Sequence, residues 1–245
     1  MLRNGAIQVW YADLGALSGR LEAFRALLSP DEAERAARFR SESLRERCVL
    51  RRGLLRHLLG RATGREPADL SFAYGPQGKP FLPDGPAFNL ADCKDDVLVA
   101  IAPPGAPPTL PLGVDIERLR TVPDADGIAE RFFAPAEHAA FQAVPEPLRA
   151  QAFLNGWTRK EAVIKATGAG LSMPLDRFAV ELTPGNPSRL LWMDPSLGEG
   201  LAEDWSLFDL EPAPDRVAAL AVRGAGWYPE LGPVLRPVEE AFSPG

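Results

Sequence analysis

The segment at residues 103–111 holds five prolines, and it divides the chain into two parts. Proline has a fixed φ and no backbone N–H, so such a segment cannot continue a helix or a central strand. We therefore predict a boundary here, with an N-terminal half at 1–111 and a C-terminal half at 112–245. Each half shows helical patterns followed by strand patterns. This order predicts an α+β fold, and it permits a pseudo-dimer of two similar halves.

Composition limits the class of protein. Hydrophobic residues make up 46% of the chain and charged residues 24%, as in ordinary globular proteins. No segment reaches the roughly 20 apolar residues of a membrane span, and the N-terminus lacks a signal-peptide pattern, so we expect a cytoplasmic protein that binds no membrane. Cys48 and Cys93 lie far apart in no paired motif, which favours thiols over a disulfide. His57 and His138 are too few for a zinc site.

Charge is distributed unevenly. The net charge is −6, which argues against general nucleic-acid binding. Residues 35–65 nevertheless hold ten arginines against Glu42 and Glu46. This arginine-rich segment is either a solvated helix surface or an anion-binding face, and the sequence leaves both open. Lysine is rare, which suggests that each lysine is needed as a compact ammonium. The four lysines are Lys79, Lys94, Lys160 and Lys165.

Periodicity and turn residues predict the elements. Ser29, Pro30 and Glu32 form a helix-start pattern, and a second helix is predicted at 43–59, ending at Gly60. Further helices are predicted at 14–28, 128–133, 135–143 and 148–167. Strands are predicted at 7–12, 70–74, 88–90, 97–102, 112–117, 178–182, 190–192, 205–210 and 217–222. The last twenty residues are rich in proline and glycine and are predicted to form a loose tail.

Two acids share one face of the strand at 112–117. Side chains alternate along a strand, so Val114 and Ile116 point to the core while Asp115 and Glu117 point together to the other side. Two like charges repel there unless a cation compensates them. The alternatives are two solvated acids or a salt bridge to Arg118 or Arg120.

A third acid lies on the predicted helix at 148–167. Trp157, Glu161 and Lys165 are four residues apart and share one helix face. One alternative is that Glu161 and Lys165 form an intrahelical ion pair and have no other role. Together with Asp115 and Glu117, however, Glu161 would complete an oxygen-rich site for Mg²⁺, and Lys165 would face the phosphates of a substrate.

These residues form a pattern that resembles the 4′-phosphopantetheinyl transferases of the surfactin-synthetase-activating type. The matching strings are Gly113-Val-Asp-Ile-Glu117, Arg131-Phe-Phe133 with Glu137, and Trp157-x-x-Lys-Glu-x-x-x-Lys165. Upstream, Gly78-Lys-Pro80 with Phe88-Asn-Leu90 also matches. The resemblance covers residues 25–182 and extends more weakly to 223.

The resemblance implies a specific reaction. Such enzymes move the phosphopantetheine arm of coenzyme A to a serine of an acyl or peptidyl carrier protein, with Mg²⁺, and release adenosine 3′,5′-bisphosphate. It implies that Asp115, Glu117 and Glu161 hold the metal. Glu161 is also similar to the base that activates the serine, and Lys165 to the residue that neutralises the phosphates.

The resemblance also implies where coenzyme A binds. It is expected in the cleft between the halves, so that a monomer suffices. Residues matched to the donor-binding positions of the family, or adjacent to them, are Arg47, Lys79, Asn89, Asp92, Lys94, Lys160 and Lys165. Which carrier protein is served, and in which pathway, does not follow from the sequence.

One position departs from the family pattern. Where the family has serine and histidine after Phe-Asn-x, this chain has Ala91 and Asp92. The family pair is expected to bind the 3′-phosphate of coenzyme A, whereas an ionised aspartate repels it. Three interpretations follow. Lys94 and the arginines hold that phosphate, the enzyme favours dephospho-coenzyme A, or the chain is a paralogue of low activity.

Other functions compete with this interpretation. A magnesium-dependent phosphohydrolase or nucleotidyl transferase needs similar acids and lysines, but it does not predict the Trp157 helix pattern together with Gly78-Lys-Pro80. A non-enzymatic module that binds coenzyme A or a carrier protein fits Asp92, but it does not explain Asp115, Glu161 and Lys165. A nucleic-acid binder lacks an aromatic stacking motif.

Overall fold

The computed structural model describes residues 5–232, which form two main sheets, two small two-stranded sheets and six α-helices. Helices, with the 3₁₀ turns included, account for 41% and strands for 25% of the described residues, which confirms the α+β prediction. The strands are β1 (Ala6–Asp13), β2 (Ala73–Tyr74), β3 (Pro80–Phe81), β4 (Phe88–Cys93), β5 (Asp96–Ile101), β6 (Leu112–Arg118), β7 (Phe178–Val180), β8 (Leu190–Met193), β9 (Trp205–Leu210), β10 (Arg216–Arg223) and β11 (Tyr228–Leu231). The helices are α1 (Leu21–Arg25), α2 (Pro30–Ala37), α3 (Glu42–Thr63), α4 (Ala125–Phe132), α5 (Pro135–Ala143) and α6 (Glu146–Thr167).

Each half places one 22-residue helix against a sheet. The first sheet has the strand order β11-β1-β5-β4, and the second has the order β6-β10-β9. The small sheets pair β2 with β3 and β7 with β8. Helix α3 packs on the outer face of the first sheet and α6 on the outer face of the second. The two inner faces pack on each other. The layers therefore run helix, sheet, sheet, helix, as expected for a pseudo-dimer of similar halves.

Strand β5 shows why this layering follows from the sequence. Val97 and Val99 belong to the cluster under α3, while Leu98 and Ala100 belong to the cluster between the sheets. All four are fully buried. A strand buried on both faces requires a continuous apolar run rather than an alternating one.

Strand β6 and helix α6 approach so closely that only glycine fits between them. A Cβ atom on Gly113 would lie 2.1 Å from the carbonyl oxygen of Ala162 and 2.4 Å from the backbone nitrogen of Ala166. Any other residue would push α6 away from β6. This glycine therefore sets the distance between the strand that carries Asp115 and the helix that carries Lys165.

Some predicted helix boundaries hold and others do not; the helix predicted at 128–133, for example, is α4, which begins at Ala125 and ends at Phe132. Helix α2 begins at Pro30 after Ser29, and the Glu32 carboxylate accepts the Ser29 N–H at 3.0 Å. The predicted end of α3 at Gly60 is wrong, because the helix continues to Thr63 and ends where Gly64 adopts a φ of 67°. Gly60 lies inside the helix, where a Cβ would meet Pro67 at 2.8 Å. The glycine is needed there for a close contact and not for a helix end.

Three further predictions need correction. The predicted helix at 14–28 is a 3₁₀ turn followed by the short α1, and the predicted strand at 70–74 contains only β2. The predicted loose tail includes β11, which pairs in parallel with β1 from Ala6↔Tyr228 to Val9↔Leu231. The rest of that tail, 233–245, lies outside the described residues. The boundary between residues 111 and 112 stays a prediction.

Candidate functional site

One stripe of α6 is left open by the packing. From Ala152 to Ala166 the helix is buried at every position except Trp157, Glu161 and Lys165. These three residues are four apart, so they lie on one face. The prediction that they share a face is confirmed.

Asp115 meets this stripe from β6. Val114 and Ile116 pack between the two sheets, so Asp115 points the other way, as predicted. Its Oδ1 accepts a hydrogen bond from Lys165 Nζ at 2.5 Å, so Lys165 contacts the strand acid. Its Oδ2 is buried and has no hydrogen-bond partner among the described residues. A buried carboxylate oxygen without a partner is costly, and it marks a place where a cation would be stabilised.

The electrostatics support this conclusion. Burial raises the pKa of Asp115 to about 7, with contributions from the negative charges of Glu161 and Glu117 and an opposing one from Lys165. Burial also raises the pKa of Glu161, and the charge of Glu117 adds to that rise. The negative charges of Glu161 and Glu117 thus raise the pKa of Asp115 beside the Lys165 ammonium. A divalent cation would relieve that repulsion, and carboxylate oxygens are donors that Mg²⁺ prefers.

Glu117 has weaker contacts of its own. It accepts a hydrogen bond from the Cys93 thiol at 3.3 Å and lies 3.9 Å from Arg120, while Arg118 pairs with Asp96 instead. In residues 5–232, no three His, Cys, Asp or Glu side chains are close enough to surround an ion. The ligand set Asp115, Glu117 and Glu161 therefore stays a prediction.

The raised pKa of Asp115 predicts a pH-dependent gain in stability on mutation. The folded state binds a proton more readily than the unfolded chain between about pH 4 and 7, so ionising Asp115 reduces stability as the pH rises through that range. Asp115→Asn removes this penalty, which is at most about 4 kcal/mol for three pKa units. In thermal unfolding with EDTA, we expect the variant's Tm relative to the wild type to be higher at pH 8 than at pH 5. An equal difference at both pH values would contradict this.

Two adjoining cavities lie beside this cluster. One, of about 290 Å³, is lined by Glu161, Lys165, Lys79, Gln77 and the glycines 168 and 170, among others. The other, which we call the arginine cavity, has a volume of about 280 Å³ and is lined by Arg35, Arg51, Arg52, Tyr74 and Asp92, among others. They share the residues Gly78, Pro80, Asn89 and Leu90. The two cavities therefore adjoin, and together they form a cleft from Glu161 and Lys165 on α6 to the arginines of α2 and α3.

Lys79 and Asn89 line the cleft, but their polar groups bind the backbone. Lys79 Nζ donates to the carbonyl oxygens of Leu112 and Ala166, both at 3.0 Å, and burial lowers its pKa to about 8. Asn89 is only 6% exposed, and its Oδ1 accepts the N–H of Val114 at 2.9 Å. Their contacts with coenzyme A stay predictions.

Three further residues were predicted to contact coenzyme A, and only one of them, Asp92, lines either cavity. Asp92 lines the arginine cavity and pairs with Arg51 at 2.5 Å. Arg47 instead binds Asp95 through two hydrogen bonds of 2.6 and 3.1 Å, outside the lining of either cavity. Lys94 is exposed at the turn between β4 and β5, where its φ is 58°. Their donor contacts stay predictions.

Lys160 lines neither cavity, so its predicted contact with coenzyme A is corrected. Its side chain is 0% exposed and pairs with Glu137 at 2.7 Å. Its ammonium also donates to the carbonyl oxygens of Leu175 and Phe178 at 2.8 and 2.6 Å. All three of its N–H donors are thus used inside the protein. Lys160 is adjacent to Glu161 in sequence but points to another side of α6.

Comparison with known proteins decides the family. The sequence profile of the 4′-phosphopantetheinyl transferase superfamily matches residues 111–222. The chain is 36% identical to the 4′-phosphopantetheinyl transferase HetI of Nostoc sp., over 94% of this chain and 93% of that one. The chain belongs to the 4′-phosphopantetheinyl transferase superfamily. It is therefore a transferase.

Another relative agrees with this assignment. The transferase is 33% identical to the 4′-phosphopantetheinyl transferase Sfp of Bacillus subtilis, over 66% of this chain and 69% of that one. Among solved structures, holo-[acyl-carrier-protein] synthase of Neisseria meningitidis matches with a TM-score of 0.35 and 23% identity, over 46% of this chain and 95% of that one. Within residues 5–232, the transferase has no helix with the length and apolarity to cross a bilayer.

Sequence reasoning missed several cleft residues of the transferase. Arg35, Arg51 and Arg52 line the arginine cavity, and the Arg52 guanidinium lies 4.5 Å from the Phe72 ring centroid. The arginine-rich segment indicated an anion-binding face, but the sequence does not distinguish these three cavity arginines from Arg56. That arginine is 1% exposed and pairs with the buried Glu32. Tyr74 also lines the cavity, and nothing in its sequence neighbourhood indicated that role.

Proposed function

We propose that the enzyme transfers the 4′-phosphopantetheine arm of coenzyme A to a serine of an acyl or peptidyl carrier protein and releases adenosine 3′,5′-bisphosphate. The observation that carries this proposal is the cleft that joins the Asp115, Glu161 and Lys165 cluster to a cavity lined by arginines. Coenzyme A has a diphosphate and a separate 3′-phosphate. A substrate with two anionic groups matches a cleft with cationic side chains at both ends.

The arrangement supports a direct displacement at phosphorus. The serine oxygen would form a bond to the phosphorus that bears the pantetheine arm, and the bond to the bridging oxygen of the diphosphate would break. Glu161 is the proposed acceptor of the serine proton, and the pKa of its carboxyl, which burial raises, supports this role because it makes Glu161 a better acceptor near neutral pH. Lys165 would stabilise the negative charge that develops on the departing bisphosphate.

A divalent cation fits beside these groups. Asp115 through its unpartnered Oδ2, Glu161 and Glu117 are the side chains proposed to hold Mg²⁺. The ion would supply charge neutralisation for the diphosphate. The protein's own part is to hold Asp115 and Lys165 together, as their 2.5 Å contact does.

Mass spectrometry tests the proposed function. Apo-carrier proteins of the fatty-acid, polyketide and nonribosomal-peptide type are incubated with the enzyme, coenzyme A and Mg²⁺. We expect one type to gain the mass of the phosphopantetheine arm on its serine, and the reaction to fail when EDTA replaces Mg²⁺. No mass gain on any carrier, with the enzyme folded, would contradict the proposal.

The ion pair between Arg51 and Asp92 favours a second candidate, in which dephospho-coenzyme A is the donor. About a third of each side chain is exposed, and both residues line the arginine cavity. The Asp92 carboxylate therefore already binds an Arg51 guanidinium that faces this cavity. A 3′-phosphate would have to compete with that carboxylate for Arg51. With coenzyme A as donor, the pair must open or accept a dianion beside it.

Asp92→Ala separates the two donors. Releasing Arg51 is expected to raise kcat/KM for coenzyme A about tenfold, since a hydrogen bond to a charged group contributes about 1.5 kcal/mol. We expect kcat/KM for dephospho-coenzyme A to change less than threefold, because that donor lacks the phosphate. Initial rates with both donors measure this. A strong preference for coenzyme A that is unchanged in Asp92→Ala would remove the idea.

We further propose that one chain is sufficient and acts in the cytoplasm. The cavity beside Glu161 and Lys165 is lined by residues from both halves of a single chain, and the arginine cavity adjoins it within the first half, which supports a monomer. Carrier proteins are usually acidic, so exposed arginines of the arginine-rich segment could guide their docking.

A further inference from the structure

The edge of β6 that faces the first sheet is covered by side chains and not by a strand. Strand β6 stands at the end of its sheet order, with β10 as its only strand partner in the described part of the chain. The Arg223 N–H donates to the Pro111 carbonyl at 3.0 Å, so odd-numbered residues of this strand bond to β10. The backbone groups of Leu112 and Val114 therefore point to the open edge.

Two side chains from the first half of the chain satisfy that edge. Lys79 Nζ donates to the Leu112 carbonyl at 3.0 Å, and Asn89 Oδ1 accepts the Val114 N–H at 2.9 Å. One side chain supplies the donor and the other the acceptor that a neighbouring strand would have supplied. Buried backbone groups without such partners would be costly.

Lys79 also reaches α6. Its ammonium donates to the carbonyl of Ala166 at 3.0 Å, in the last turn of the helix, where carbonyls lack partners within the helix. A cation at this end is also favoured by the helix dipole. The lysine stem passes Gly168, where an added Cβ would lie 3.4 Å from Lys79 Cδ. One side chain thus joins the start of β6 to the end of α6.

The backbone of Lys79 is itself fixed. In the turn between β2 and β3, the Gly75 N–H donates to the Lys79 carbonyl and the Gly78 N–H donates to the Gly75 carbonyl, both at 2.9 Å. Gly78 has a φ of 80°, which favours glycine. The same turn lines both cavities, through Gly78 and Pro80.

We propose that Lys79 and Asn89 are positioning residues that clamp β6 and α6 to the first half of the chain, and so hold Asp115 and Lys165 in register. Asp115 follows Val114 directly, and Lys165 precedes Ala166 directly. Two of the three clamped backbone groups, those of Val114 and Ala166, therefore belong to residues adjacent to the two side chains that meet at 2.5 Å. A shift of the clamp would move the acid and the ammonium relative to each other.

Lys79→Met tests the clamp, because methionine keeps the apolar stem and removes the donors. Hydrogen–deuterium exchange is measured for segments 112–118 and 160–170, together with kcat and KM for coenzyme A. We expect faster exchange in both segments, a fall in kcat of about 100-fold from misplacement, and a KM within about threefold. Unchanged exchange in both segments would overturn the proposal. A raised KM with kcat preserved would also overturn it, because that result would show that Lys79 binds a phosphate of the donor.

Arg51→Met is the matched comparison. Arg51 lines the arginine cavity but makes no bond to β6 or α6, so we expect a raised KM for coenzyme A and unchanged exchange in both segments. The same loss of protection in Arg51→Met and in Lys79→Met would contradict a specific clamp.

A second variant covers a failure of Lys79→Met to fold. In Asn89→Ala, the Val114 amide loses its acceptor, and we expect its exchange rate by NMR to rise about tenfold. An unchanged rate would overturn the clamp. The kinetic comparison rests on the proposed function, but the exchange measurements do not. If the wild type transferred nothing, they would still decide the clamp.

Discussion

Replacing Glu161 by glutamine is expected to lower the rate of transfer to a carrier protein by at least about 1000-fold, while the fold is retained. Glutamine keeps the size of the side chain but cannot take the serine proton, and loss of a general base costs up to about 10⁴-fold. It also removes one carboxylate from the cluster with Asp115 and Glu117. Because burial raises the pKa of Glu161, its neutral replacement should not reduce the Tm.

Glu146→Gln is the control on the same helix. Its side chain is 86% exposed and lies 3.6 Å from Arg149, far along α6 from the cleft. We expect its transfer rate to stay within twofold of the wild type, since isolated surface substitutions change little. Mass spectrometry of the carrier gives both rates. A Glu161→Gln rate within tenfold of the wild type would show that Glu161 is not the base.

The largest effect on stability is expected for Lys160→Met. The substitution leaves the Glu137 carboxylate buried without its cation and removes the donor from the Leu175 and Phe178 carbonyls. Breaking a buried ion pair from one side costs about 3–5 kcal/mol. Urea unfolding should show this loss as a lower midpoint with an unchanged m-value.

Two further variants separate the buried charge from other causes. Lys160→Met combined with Glu137→Gln leaves no unpaired charge, so we expect it to be more stable than Lys160→Met alone. Lys94→Met changes an exposed lysine, and we expect its stability to stay within about 0.5 kcal/mol of the wild type. Equal losses in the single and the double variant would show that the ion pair is not the cause.

The two segments with the strongest patterns were predictable in detail. Strand β6 has an alternation of apolar and acidic residues, and α6 leaves Trp157, Glu161 and Lys165 open at four-residue spacing. Periodicity determines which side chains share a face, because it reflects the backbone geometry alone. Asp115 facing Lys165 then follows from packing that helix on that strand.

Other features were not predictable because they depend on distant contacts. Lys160 is next to Glu161 in sequence, but its burial is set by Glu137 and by the segment after the helix. Gly60 resembles a helix end, yet it is required by contact with Pro67. Lys79 matched a family motif, but the motif could not show that its ammonium bonds to two carbonyls in the other half of the chain. Short-range patterns do not report such contacts.

A crystal structure of the enzyme with Mn²⁺ in place of Mg²⁺ and with coenzyme A tests the central claim most directly, because anomalous scattering locates the ion. We expect one ion bound by Asp115 Oδ2, Glu117 and Glu161, with the diphosphate beside Lys165 and the nucleotide end in the arginine cavity. An ion bound elsewhere, or a donor outside the cleft with the three carboxylates still apart, would contradict the account.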